Sequence, residues 1–196
     1  HSFHTGGSSD FNGVGGMMGS VYMSLTQDVE RGVLGVPGGP FSLLLPRSID
    51  FAPLFDILRL RYSNTLDRIA LMSALETVFT FLEPAGYIGS IDKNLLPNTP
   101  SHRVLIHYGQ GDAQVTWLGA QLIGRSVKAK MFQSNFVIKN TTVYGFGHVP
   151  DSAVLSDGSL IKGFGFDEPP QIIPLVYFTC AKTTNTHDKT RRTVQA

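Results

Sequence analysis

The chain is short of cysteine, of charge and of long apolar runs, and each shortage excludes something. Cys180 is the only cysteine among 196 residues. It rules out an intramolecular disulfide and a cysteine-based zinc site. A single thiol also fits a reducing compartment or an organelle interior. Charged residues make up 16% of the chain, below the quarter or so of an ordinary globular domain. Low charge points to surface covered by something else, such as a partner subunit. The 16 Lys and Arg nearly balance 15 Asp and Glu. Neither nucleic acid nor an anionic membrane surface is therefore expected as the main partner. No apolar run reaches the roughly 20 residues that a membrane helix needs, so no membrane span is expected.

Hydrophobic residues account for 42% of the chain. That is enough for a real core, and the length suits one domain or a large piece of one. The first 20 residues are rich in Gly and Ser and read as loop and turn, up to Val14. From there to Leu25 the residues are small or apolar and suit a buried helix. Arg31-Gly32-Val33-Leu34-Gly35-Val36 reads as a buried strand, ended by Pro37-Gly38-Gly39-Pro40. Residues 50–86 read as helical. Phe51, Leu54, Phe55, Leu58 and Tyr62 form one stripe at helical spacing. Leu66, Ile69, Ala70, Ser73 and Thr77 form a second, up to Pro84. Both stripes are expected to pack into a core or under a cap.

Val104-Leu105-Ile106-His107-Tyr108 reads as another buried strand, closed by Gly109-Gln110-Gly111-Asp112. A helix is expected from about residue 114 to 128, with Val115, Leu118, Leu122 and Ile123 inward. Strands are expected at 136–138 and 141–144, and residues 160–166 alternate apolar residues with Gly and Lys. His107 and His148 are expected to be structural or on the surface. The alternation of strand and helix predicts an α/β fold with a parallel sheet. Only three or four strands are legible. A parallel sheet is buried on both faces, so a partial sheet is expected, completed by an upstream segment of the same protein or by another subunit.

Three points carry candidate chemistry. Asn12-Gly13-Val14-Gly15-Gly16 opens an apolar helix, Asp112 follows a strand, and His187 sits in a polar loop. Nucleophile, acid and histidine, each after a strand, is the chain order of α/β-hydrolases. The segment Phe11-Asn12-Gly13-Val14-Gly15-Gly16-Met17-Met18-Gly19 resembles the elbow Gly-Asn-Ser-Gln-Gly-Gly-Ile-Met-Gly of one branch of the α/β-hydrolase superfamily. Gly111-Asp112-Ala113-Gln114-Val115 is similar to that branch's Gly-Asp-x-Gln-Val. Thr186-His187-Asp188-Lys189-Thr190-Arg191-Arg192 is similar to its Pro-His-Glu-x-Pro-Arg-Arg.

The resemblance spans residues 12–192 and implies the C-terminal half of an α/β-hydrolase-like fold. It implies a degenerate elbow, helix and following strand over 1–40, and a helical cap-like insertion over 41–100. A strand, acid loop and helix then occupy 101–130, and an irregular C-terminal region with the histidine loop occupies 131–196. By the same resemblance Asp112 stands where the triad acid stands and His187 where the base stands. Backbone N–H groups from Val14 onward would face the oxyanion position. Gly13 stands at the serine position, and Phe11 replaces the first elbow glycine. Glycine has no side chain to attack a carbonyl, so the acyl-enzyme route is closed. Glycine does suit a strained turn, so the fold can outlast the chemistry.

The leading expectation is a non-catalytic, hydrolase-derived structural or interaction subunit of a larger assembly. The alternatives are a serine hydrolase, of esterase or peptidase type, whose nucleophile comes from Ser8, Ser9 or another segment, and a small-molecule binding module. No cofactor and no metal is expected. The glycine-rich turn lacks a Walker Lys-Ser/Thr and a full Gly-x-Gly-x-x-Gly, which argues against a phosphate-binding loop.

Overall fold

The computed structural model describes residues 3–6, 14–132 and 145–164, except 151, 155 and 157. It shows an α/β arrangement built on a parallel sheet. Among the described residues six strands form the sheet: β1 (Phe3–Gly6), β2 (Arg31–Gly35), β3 (Arg103–Gly109), β4 (Lys130–Phe132), β5 (His148–Val149) and β6 (Leu160–Phe164). Their order is β1-β2-β3-β6-β4-β5, and every pairing is parallel. This exceeds the three or four strands expected. The missed strands are short, and β1 lies inside the Gly- and Ser-rich segment read as loop. A four-residue strand shows too few alternations to be legible alone; its ladder to β2 defines it. The expected strands at 136–138 and 141–144 lie outside the described residues.

Helix α1 (Val14–Leu25) connects β1 to β2. Its small residues let it lie close on the sheet. A Cβ built on Gly16 would fall 2.2 Å from the Gly35 carbonyl oxygen. Ser20 and Ser24 are fully buried and return their hydroxyl protons to helix carbonyls, Ser20 to Gly16 and Ser24 to Ser20. These two buried hydroxyls are therefore paired rather than stranded. The core joins Met23 of α1 to Leu34, Val104, Ile106 and Ile161 of the central strands, and to Ile123.

Between β2 and β3 the chain makes a helical insertion: α2 (Phe41–Leu44), α3 (Ala52–Arg61) and α4 (Thr65–Phe79). The expected helical stretch 50–86 is broken at 62–64. There the Asn64 side chain accepts the Leu66 N–H and starts α4 afresh. The two stripes are corrected. Phe55 and Met72 are the buried residues of α3 and α4. Leu54, Leu66 and Ile69 are exposed, as are Ala70, Ser73 and Thr77. Helical spacing marks a face, but a neighbouring element must exist to cover it.

Helix α5 (Trp117–Ser126) follows β3 and begins later than expected. Val115, ahead of the helix, and Ile123 are buried as expected, but the two leucines are not. Gly119, Ala120, Gln121, Ile123 and Gly124 point inward, while Leu118 and Leu122 are partly exposed. The reason is distance: a Cβ on Gly119 would lie 2.8 Å from the Gly39 nitrogen. Only the small-residue side of α5 can approach the 38–39 backbone so closely.

Candidate functional site

In a parallel sheet all strands end on one edge, and the crevice outside that edge is where α/β folds bind ligands. Here β1 runs towards the start of α1, β2 ends at Gly35 just before Val36, and β3 ends at the loop carrying Asp112. The start of α1 and Asp112 therefore share an edge. They belong to strands two positions apart, about 10 Å across the sheet. Val14 is the first residue of α1, where helix N–H groups lack partners within the helix and carry the positive end of its dipole. Gly13 and His187 lie outside the described residues, so the structure brings together only two of the four expected site positions.

The backbone at this edge is strained. Val36 has φ 51°, a conformation costly for a β-branched residue. It persists because Val36 is buried against Met17, Leu44 and Val115, and its N–H donates to the His107 carbonyl at 2.8 Å. Such outliers gather at functional sites, where surrounding packing over-determines them.

Asp112 is buried. Its Oδ1 accepts the N–H of Gln114 at 2.8 Å and of Val115 at 3.0 Å. These bonds hold a turn over 112–115 and delay α5, whose N-cap is Thr116. Gln114 in turn donates from Nε2 to Asp50 Oδ1 at 3.3 Å, and Ile49 N–H donates to the Ala113 carbonyl. The entry to the helical insertion thus clamps the acid loop. The arrangement fixes a carboxylate at the strand ends and holds it rigid.

His107 is half-buried on β3, within the expected structural role. Burial, and then Lys162, lower its pKa to about 4, so the ring is neutral at ordinary pH. Three further features escaped sequence reasoning. His102 is fully buried, its Nδ1 3.2 Å from the Ile91 carbonyl and its Nε2 3.1 Å from the Thr26 carbonyl. It ties the start of β3 to two connections. Glu83 is also fully buried. Burial, and next the facing Glu76 carboxyl, push its pKa up to about 8, against the lowering pull of the Ala85 and Phe41 N–H groups. Glu76 Oε2 accepts the Ser42 N–H. Glu76 Oε1 and Glu83 Oε2 are both buried with no other partner among the described residues, so a protonated Glu83 can donate to the facing Glu76 carboxyl. The third feature is an arginine-lined cleft in the insertion. The sequence signal for Glu83 was a carboxylate directly before the helix-stopping Pro84, where a charge is ordinarily solvated.

The site and fold define a parallel α/β protein with a helical insertion. In comparisons with family models, curated proteins and solved structures, nothing matches this chain. Among the described residues no helix is long and apolar enough to cross a membrane.

Proposed function

We propose that the chain is a non-catalytic protein of α/β-hydrolase-like build that serves as a structural or interaction subunit of a larger assembly. The observation that carries this reading is the uncovered apolar surface of the insertion. Leu60 is 87% exposed, Phe81 76% and Leu66 71%, with Ile57, Val78 and Leu82 also mostly exposed. Scattered single hydrophobics are normal on a surface, but a concentration on two consecutive helices and the turn after them marks an interaction site. Two further points support it. Glycine at position 13 supplies no hydroxyl for acyl transfer. Among the described residues β1 pairs only with β2, so a strand from an upstream segment or another subunit has an edge to join.

Two measurements test this. A fluorophosphonate probe should leave no covalent adduct detectable by mass spectrometry; a labelled Ser8 or Ser9 would instead establish the serine-hydrolase reading. Photo-crosslinkers at positions 60 and 81 should give adducts of discrete mass inside cells, lost when Leu66 is changed to Asp. The absence of discrete adducts would remove the interaction role.

A further inference from the structure

The helical insertion encloses a cleft of about 660 Å³ between residues 42–47, α3 and α4. That size lies within the range of small-molecule sites. Its chemistry is two-sided. Phe55 and Met72, both buried, contribute apolar surface, flanked by Leu43 and Ile69. Arg47, Arg59 and Arg68 supply three cations, and among the described residues no carboxylate lines the cleft.

The guanidinium groups are positioned by bonds that leave donors over. Arg47 Nη1 donates to the Leu43 carbonyl at 2.9 Å. Arg68 donates from Nη1 to the Tyr62 and Ser63 carbonyls and from Nη2 to Thr65 Oγ1, bracing the turn between α3 and α4. Arg59 pairs with Asp56 at 2.6 Å. A guanidinium carries five N–H donors, so each retains some for a ligand. Among the described residues only Arg59 of these three has an acidic partner, and the pair is exposed. The Arg47 and Arg68 charges therefore lie uncompensated beside an apolar wall, while Arg59 keeps donors beyond its bond to Asp56. Planar forks of this kind match carboxylate and phosphate oxygens.

We propose that this cleft binds an amphiphilic anion, a carboxylate or phosphate head on an apolar chain. Arg47 and Arg59 take the head, and Phe55 and Met72 receive the chain. Arg68 sets the cleft's shape and adds to its field. The assignment does not depend on the non-catalytic reading above, and the lining includes neither Asp112 nor Val14.

The test is calorimetric titration of the full chain with sodium decanoate, kept below micelle formation. Decyl phosphate, decanol and acetate separate head from chain. Decanoate and decyl phosphate should bind one to one. Decanol, with the chain alone, and acetate, with the head alone, should each bind at least about tenfold more weakly, since charge-assisted bonds and apolar burial are both needed. Arg47→Gln and Arg59→Gln should each weaken decanoate several-fold while leaving decanol unchanged and the far-ultraviolet circular dichroism intact. Raising the salt concentration should weaken decanoate binding to the unaltered protein, a readout that needs no variant. Equal binding of decanoate and decanol would overturn the proposal, as would indifference to both arginine substitutions. Binding to anionic phosphatidylglycerol vesicles without binding of monomeric decanoate would also overturn it and assign the surface to a membrane.

Discussion

Asp112 was legible from the sequence as a carboxylate at a strand end, and the structure adds what its side chain binds. A carboxylate after a strand can cap a helix and also stand where a triad acid stands, since the two roles are compatible. It satisfies the N–H groups of Gln114 and Val115, ahead of the helix. Asp112→Ala leaves two buried donors without an acceptor and should cost about 1–3 kcal/mol in chemical denaturation. Asp112→Asn keeps an amide oxygen and should cost clearly less. Equal losses would show that charge, not hydrogen bonding, matters there. Gly16 belongs to the same apparent elbow motif, yet its need for glycine is a packing need. Gly16→Ala should lower stability by about 1–3 kcal/mol or more, because the obstructing atoms are the Gly35 carbonyl and the Pro37 nitrogen rather than a flexible side chain. Gly89→Ala meets nothing within 4 Å and serves as the control, with little expected change in midpoint.

At the scale of elements, the α3–α4 hairpin separates pattern from environment. Helical spacing was legible, and the helices formed. Burial was not, because the face is defined by what lies opposite. Replacing Leu60 and Leu66 together by Asp should therefore change the thermal midpoint little, within roughly 0.5 kcal/mol per site. A loss of several kcal/mol would mean that these side chains are covered in the folded protein. Helix α5 makes the complementary point. Its leucines suggested the inward face, but Gly119 and Gly124 occupy it, because backbone and Ile161 approach too closely for anything larger. A pattern of large residues cannot reveal a contact that works by having no side chain.

At the scale of the whole molecule, two buried titratable groups oppose each other. Glu83 has a pKa of about 8 in the fold against 4.5 as the ordinary value. Between those values only the folded state keeps the proton, so stability falls as pH rises, by about 1.4 kcal/mol per unit at most. His107 has a pKa of about 4 against 6.5. Between those values only the unfolded state keeps the proton, so stability rises with pH. The two slopes cancel from about pH 4.5 to 6.5 and leave a net decline above that, towards pH 8. Glu83→Gln should abolish the decline and expose a gain in stability from pH 4 to 6.5. Urea midpoints measured across pH 4–9 check this. A variant profile that still declines above pH 6.5 would exonerate Glu83.

The sequence by itself determined the α/β class, the positions of α1, β2 and β3, and the loop holding Asp112. Those features rest on local information: apolar runs of strand length, punctuating Gly and Pro, and a carboxylate at a strand end. The tertiary structure alone decided the strand order β1-β2-β3-β6-β4-β5, since ladders join residues far apart in the chain. It alone decided that Val36 is held at positive φ and that Glu76 and Glu83 face each other across the insertion. It alone turned three arginines into one cleft. Each of these depends on which groups meet across space, and residue type and spacing carry no record of that.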